Sequence, residues 1–193
     1  MCAQQKKPQL QMIWPEARLD DPPAWPAPDG YTLRPARVGD ETAYAELLKE
    51  ADLASWDASQ AAAQMEAALP DGLVFAVCKN DDALVATAIA QPKPTELHPS
   101  GGELGWVAVV PAHRGKGLGG CISVAATRRF IEEGFRDIYL RTHDYRLPAI
   151  KTYLKMGYRP LLFTEGMEER WRDVCRELDV DYGPLETFDR PVG

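Results

Sequence analysis

A glycine-rich segment directly after the apolar run 106–110 is the stretch of this chain best suited to chemistry. It reads Arg114, Gly115, Lys116, Gly117, Leu118, Gly119 and Gly120. The apolar run predicts a strand, and the residues after the segment predict a helix. Glycines let backbone N–H groups approach an anion without obstruction by Cβ, and the free amides and dipole at a helix N-terminus favour a phosphate there. Because Arg114 and Lys116 add positive charge, we predict that this glycine loop binds a phosphate group.

Two known phosphate motifs fit the glycine loop poorly. A P-loop needs Gly-x-x-x-x-Gly-Lys followed by Ser or Thr, but here the lysine is followed by Gly117 and no glycine stands at the earlier position. The spacing of Gly115, Gly117 and Gly120 formally matches the dinucleotide fingerprint. However, four residues separate the strand from its first glycine, and the next predicted strand ends in Arg141-Thr142 rather than in an acid. We therefore exclude a P-loop and disfavour a dinucleotide site.

The pattern Arg114-x-x-Gly117-x-Gly119 after a Val-rich strand resembles the pyrophosphate loop of the GNAT superfamily of acyl-CoA-dependent N-acyltransferases. The resemblance covers roughly residues 31–163 and is strongest over 106–120. It implies an α/β fold with a mixed, mostly antiparallel central sheet flanked by helices. In that fold the glycine loop and its helix follow the central strand.

Hydrophobic periodicity and turn residues predict the positions of the strands and helices along the chain. We predict strands over residues 31–35, 73–79, 84–90, 103–110, 137–142 and 161–163. Helices are predicted from Asp40 onward, over 59–69, from the glycine loop to near Gly134, and over 147–156 and 165–178. We divide the chain into a Pro- and Trp-containing N-terminal arm (1–29), a GNAT-like domain (30–163), and a C-terminal helix with an irregular tail (164–193). The arm is expected to lie extended against the domain or, in a homodimer, against the partner subunit.

The resemblance implies a cofactor site for acetyl-CoA or another acyl-CoA and requires no metal. Its pantetheine arm would pair with the exposed backbone of Val107, Ala108 and Val109, as an added strand would. The pyrophosphate would contact the amides of Gly115, Lys116, Gly117, Leu118, Gly119 and Gly120. Asp144 stands where the family often has Asn, and it is expected either to contact the cofactor or to cap the following helix.

Two residues are the candidate catalytic groups. Glu103 stands eleven residues before Arg114, which matches the base glutamate of histone-type members. A half-buried position there would raise its pKa towards neutrality, as an amine acceptor requires of a general base. His98 and His143 are fallback bases. Tyr153 lies in a segment similar to the one whose tyrosine protonates the departing CoA thiolate or hydrogen-bonds its sulfur.

For the acceptor site, the resemblance implies only which segments line it: the segment between the first two helices and the loop before the central strand. Its candidate contacts are Leu53, Trp56, Asp57, Glu96 and His98. Trp56 is close in sequence to two acids, Asp52 and Asp57, which would suit a cation with an apolar body. The acceptor is therefore expected to be a small-molecule or peptide amine.

Composition restricts the function classes further. With 193 residues and 45% hydrophobic content, the chain fits one globular domain. A net charge of −7 disfavours nucleic-acid binding. The four cysteines are far apart and suggest neither a zinc site nor a disulfide framework. No signal-type or membrane-length apolar segment is evident, so we expect a cytoplasmic protein without a membrane partner.

Together these observations predict an N-acetyltransferase in which an amine attacks acetyl-CoA directly within a ternary complex. The alternative is a non-catalytic acyl-CoA-binding module with a regulatory or interaction role.

Overall fold

The computed structural model describes residues 7–21, 24–183 and 185–190. Within these ranges the chain forms eight strands and five α-helices. The strands are β1 (Leu10–Ile13), β2 (Tyr31–Pro35), β3 (Leu73–Cys78), β4 (Leu84–Pro92), β5 (Gly102–Val109), β6 (Ile138–Thr142), β7 (Arg159–Leu162) and β8 (Phe188–Asp189). The helices are α1 (Glu41–Glu50), α2 (Ala58–Glu66), α3 (Leu118–Glu132), α4 (Leu147–Met156) and α5 (Met167–Glu177).

All eight strands belong to one sheet with the order β2-β3-β4-β5-β6-β1-β7-β8. Strands β2 to β5 form an antiparallel meander, whereas β5 and β6 run parallel. Strand β1 is antiparallel to both of its neighbours, and β8 runs parallel to β7. The sheet is therefore mixed and mostly antiparallel, which confirms the predicted fold class.

The core lies on both faces of this sheet. Every residue of β3 is buried, as expected for a strand covered on both sides rather than for an amphipathic one. Helix α3 packs against β3, β4 and β5, and α1 packs against β4 and β5. The apolar stripe of α3 thereby fixes the position of the glycine loop at its N-terminus.

Strand β1 lies in the predicted N-terminal arm, where the sequence analysis predicts no strand. Leu10 and Met12 have no exposed surface, and Trp14 just after the strand is 2% exposed. Its backbone pairs with β6, where Leu10 lies opposite Thr142, and with β7, where Met12 lies opposite Pro160. The four residues of β1 are too few to show a strand period, so only tertiary pairing reveals this element.

Strands β5 and β6 separate after a short paired stretch. Their register covers only Gly102–Leu104 against Ile138–Leu140. Further along β5, Trp106 has a φ of 47° and the pairing with β4 shifts in register, which is a β-bulge that bends the strand. The backbone of β5 beyond Leu104 is thus left without a partner strand on the β6 side.

Candidate active site

A cavity of about 840 Å³ opens where β5 and β6 separate. We call it the large cavity. Val107, Ala108 and Val109 line one wall, and Pro148, Ala149, Thr152 and Tyr153 of α4 line the facing wall. Residues of the glycine loop line its end: Arg114, Gly115, Gly117, Leu118, Gly119 and Gly120. The predicted cofactor residues of β5 and of the glycine loop are thus gathered around one opening, Lys116 excepted.

The glycine loop presents unpaired backbone amides. Gly115 and Gly117 have φ values of 76° and 83°, a left-handed conformation that glycine adopts without steric cost. Gly117 is the N-cap of α3 and provides no side chain to cap it. In residues 7–21, 24–183 and 185–190, no protein acceptor is found for the amides of residues 115–119. Such a row of free N–H groups at a helix start can hold an anion.

Gly120 corrects part of the prediction for this loop. Its amide donates to the Gly117 carbonyl at 3.1 Å, so it is not free for a phosphate. A Cβ at Gly120 would lie 2.7 Å from the indole of Trp25, and Trp25 also lines the large cavity. Gly120 is therefore required for close packing of the N-terminal arm on α3.

The two cations of the glycine loop contact protein acceptors. The Arg114 guanidinium donates to the carbonyls of Val109 (3.0 Å) and Ala51 (3.2 Å). Lys116 Nζ donates to the Tyr31 hydroxyl at 3.1 Å and does not line the large cavity. The side chain of Lys116 therefore anchors the loop to β2, while its backbone amide stays among those predicted to contact the pyrophosphate.

The edge of β5 offers the Val109 amide to the large cavity. Val110 N–H donates across the sheet to the Val85 carbonyl at 3.0 Å. Because neighbouring residues of a strand direct their N–H groups to opposite edges, the Val109 amide lies on the side where β6 has separated. This edge fits the predicted pairing with an extended ligand.

A second cavity of about 260 Å³, the small cavity, lies next to the large one. Leu53, Val107, Arg146, Ala149 and Tyr153 line both cavities. The other polar and charged residues of the small cavity are Gln9, Gln91, Lys93, Glu103, Arg141, Thr142 and His143. The two cavities thus meet at a common wall that includes Tyr153.

Tyr153 lies at this junction as a buried side chain with 7% exposed surface. Burial raises the pKa of its phenol to about 12, although the nearby Arg146 guanidinium opposes that shift. The hydroxyl therefore keeps its proton at neutral pH and can act as a hydrogen-bond donor.

Glu103 lines the small cavity, but its pKa is shifted in the direction opposite to the predicted one. Arg141 binds both carboxylate oxygens, through Nε (2.6 Å) and Nη2 (3.2 Å), and Lys93 Nζ lies 2.5 Å from Oε2. Burial favours the protonated acid, but the hydrogen bonds from Arg141 and Lys93 outweigh it and lower the pKa of Glu103. The expectation that this pKa rises towards neutrality is wrong, because two cations stabilise the carboxylate.

Three predicted acceptor contacts lie elsewhere. His98 is fully buried, binds Asp137 (2.9 Å) and Gln11 (3.0 Å), and stacks on Tyr139. Glu96 is exposed, and neither residue lines the two cavities. Trp56 packs behind the small cavity, with its ring 4.3 Å from that of Trp106. None of the three lines a cavity at this site, so the structure lends no support to their predicted contact with the acceptor.

The two remaining acceptor candidates differ. Leu53 lines both cavities. Asp57 instead caps α2 by accepting from the Gln60 amide at 2.8 Å. Of the loop between α1 and α2, Leu53 thus reaches the junction of the cavities, and Asp52 lines the large cavity alone.

Asp144 does not cap α4, and its contact with the cofactor stays a prediction. Its carboxylate forms a bidentate ion pair with Arg170 of α5 (2.6 and 3.1 Å). These bonds lower the pKa of Asp144. Arg146, not Asp144, is the N-cap of α4, and it makes no side-chain cap. Asp144 thus joins α5 to the start of α4 and lines neither cavity.

His143, the other fallback base, lines the small cavity. Its Nε2 lies 3.2 Å from Gln9 Nε2, and because an amide nitrogen only donates, the imidazole accepts there. Arg141, Lys93 and Arg146 were missed as site residues. Arg141 stands at the end of a predicted strand, but only the structure shows that this strand pairs with β5. For Lys93 and Arg146 no local sequence signal exists.

Comparisons with known proteins identify the family. The model of the acetyltransferase (GNAT) family matches residues 41–158, more than half of the chain. The protein therefore belongs to the GNAT acetyltransferase family. A search of curated proteins gives no match.

Solved structures share the fold at low sequence identity. A GCN5-related N-acetyltransferase from Sphaerobacter thermophilus aligns with a TM-score of 0.62 and 23% identity over 80% of this chain. Only 49% of that longer protein is covered, so this chain spans about half its length. The yncA protein of Salmonella typhimurium, solved with its cofactor acetyl-CoA, gives a TM-score of 0.58 and 19% identity over 67% of this chain and 79% of its own. The NatC complex bound to Gag peptide and CoA gives 0.57 and 20% over 66% and 83%.

Among the residues that the structure describes, no group of three or more His, Cys, Asp or Glu side chains is placed to hold a metal ion. None of the helices formed by these residues has the length and apolar character needed to cross a membrane.

Proposed function

We propose that this protein transfers an acetyl group from acetyl-CoA to an amine of a small molecule or peptide, by direct attack in a ternary complex. The observation that carries the proposal is the junction of two cavities at Tyr153. A donor in the large cavity and an acceptor in the small cavity would meet there. Holding two reactants together in this way removes much of the entropic barrier to their reaction.

The large cavity suits acetyl-CoA. The free amides of residues 115–119 would bind its pyrophosphate, and the open edge of β5 would pair with its pantetheine arm. The Val109 amide faces the same side and would donate to the thioester carbonyl, whose oxygen gains negative charge during attack.

Tyr153 would stabilise the departing sulfur. A thiol has an ordinary pKa of about 8.5, whereas the pKa of Tyr153 is about 12. The thiolate is therefore too weak a base to remove the phenolic proton. Tyr153 would donate a hydrogen bond to the sulfur and keep its proton.

His143 is the better candidate for the base, and its Nε2 would exchange the hydrogen bond from Gln9 for one from the amine. An amine acceptor must lose a proton before it attacks, and the carboxylate of Glu103, stabilised by two cations, is a weak proton acceptor. His143 lines the acceptor side, and histidine is the commonest general base in proteins. His143→Gln should therefore lower kcat by a larger factor than Glu103→Gln does.

A thermal-shift titration with acetyl-CoA, CoA and NADPH tests the proposal, because a ligand that binds only the folded state raises Tm. We expect stabilisation by acetyl-CoA and CoA, followed by amine-dependent release of free thiol. Stabilisation by NADPH alone would overturn the proposal in favour of a dinucleotide site. Binding of acetyl-CoA with no turnover of any amine would favour the non-catalytic acyl-CoA-binding module.

A further inference from the structure

The small cavity is positively charged in a chain that is negatively charged overall. Of the described residues that line it, Lys93, Arg141 and Arg146 carry positive charge and Glu103 alone carries negative charge. Three cations against one carboxylate leave two positive charges in excess, whereas the chain has a net charge of −7. A concave site that collects charge of one sign concentrates ligands of the other sign.

The cations keep donors available for a ligand. Arg141 uses Nε and Nη2 for Glu103, which leaves its other N–H groups, and 35% of its side chain is exposed. The Lys93 ammonium has three donors and is 41% exposed. By contrast Glu103, 7% exposed, is already bound by both cations. A cationic acceptor, such as a polyamine, would need the Glu103 carboxylate as its partner, but that carboxylate is already paired with Arg141 and Lys93.

The charges are also ordered along the site. Lys93, Glu103 and Arg141 line only the small cavity, whereas Arg146 and Tyr153 line both cavities. The ion-paired cluster therefore lies at the end of the acceptor site away from the donor. A volume of about 260 Å³ is slightly below the usual range of about 300–1,000 Å³ for ligand pockets, so the cavity suits a small acceptor.

We propose that the acceptor is a small amine that also carries an oxyanion, a carboxylate or a phosphate. Arg141 and Lys93 bind the oxyanion at the far end, and the amine points towards Tyr153. An amino acid is the simplest molecule of this class. This inference rests on the proposed acetyl transfer and specifies its acceptor. It replaces the expectation of a cationic acceptor bound beside Trp56, Asp52 and Asp57.

The test compares acceptors that differ only in the anionic group. Each amino acid is paired with its carboxamide, and β-alanine and phosphoethanolamine are compared with ethanolamine and 1,3-diaminopropane. Product formation from acetyl-CoA is followed by mass spectrometry, at pH 7 and low salt. We expect kcat/KM to be about 10- to 100-fold higher with the oxyanion present, the range that one charged hydrogen bond supplies. β-Alanine and phosphoethanolamine distinguish carboxylate from phosphate.

Arg141→Gln and Lys93→Gln provide the structural arm of the test. Each is expected to reduce the preference for acid over amide by about tenfold, mainly through KM for the acid. Because this preference is a ratio within one variant, partial unfolding does not change it. Arg176→Gln is the matched control, since Arg176 is 76% exposed on α5 and lines neither cavity.

The outcomes distinguish a failure of this inference from a failure of the proposed acetyl transfer. Efficient acetylation of amides or diamines, with no preference for acids, would overturn the inference and leave the acetyltransferase function intact. An acid preference that Arg141→Gln and Lys93→Gln do not alter would overturn the assigned residues. Binding of acetyl-CoA without acetylation of any amine would overturn the proposed function, and this inference with it.

Discussion

Tyr153 is the residue whose removal tests the junction most directly. Tyr153→Phe deletes one oxygen from the common wall of the cavities and should lower kcat by about 10- to 100-fold, because a charge-assisted hydrogen bond to the leaving sulfur is lost. The Kd for acetyl-CoA should stay within about twofold, since the bond forms only as the thiolate develops. Steady-state kinetics and calorimetry measure the two quantities.

Tyr182→Phe is the control for that change, because Tyr182 contacts Arg172 and lines neither cavity. Equal kcat values for Tyr153→Phe and Tyr182→Phe would remove Tyr153 from the mechanism.

Glu103 makes stability depend on pH in a defined direction. Its pKa is lowered from an ordinary value of 4.5 in the folded state, so the folded protein binds the proton less well than the unfolded chain does. The stabilisation is therefore complete above pH 4.5 and is lost as the pH falls through the folded-state pKa. Urea unfolding at pH 7 and at pH 3 should show Glu103→Gln less stable than wild type at pH 7, with a smaller difference at pH 3. A difference that is constant with pH would mean that the carboxylate is not stabilised by Arg141 and Lys93.

At the scale of elements, the start of α3 combines a backbone requirement with ligand binding. Gly117 has a φ of 83°, so Gly117→Ala should cost about 1 to 2 kcal/mol of stability and weaken acetyl-CoA binding by displacing the loop amides. Gly134 at the other end of α3 has a φ of 80° and open space for a Cβ. Gly134→Ala should therefore cost similar stability with no change in acetyl-CoA affinity. Equal affinities of the two variants would contradict the assignment of the phosphate to this loop.

The elements that the sequence predicted well are those with local signals. Helix α4 has the predicted bounds, and β2 to β6 agree to within one or two residues at their ends, because turn residues and apolar periods mark them. Strand β8 was read as irregular tail and β1 as arm. Each is too short for a period to show, and each depends on pairing with residues distant in sequence.

The same distinction between local and tertiary signals applies to the candidate site. The glycine loop and Tyr153 are contiguous with recognisable segments, so their place around the large cavity could be inferred. The charged end of the small cavity could not, because Lys93 and Arg141 meet Glu103 only through the registers of β4, β5 and β6. His98 was misassigned for the same reason: its partners Gln11 and Asp137 are distant in the chain.

At the scale of the whole molecule, the N-terminal arm is part of the sheet. Met12 has no exposed surface, so Met12→Ala should lower the free energy of unfolding by about 2 to 5 kcal/mol, measured by urea denaturation. Val38→Ala is the control, because Val38 is 100% exposed. Equal stability of the two variants would mean that the arm lies loosely outside the core.

The position of β1 between β6 and β7 also determines when the sheet can be completed. The meander of β2 to β5 joins strands that are near in sequence, so it can form early. Strand β1 must instead wait until residues up to Leu162 are available, since it pairs on both sides with late strands. Closing so long a loop is entropically slow. On the ribosome, the apolar side chains of β1 therefore emerge well before the strands that cover them, and insertion of β1 is a late step of folding.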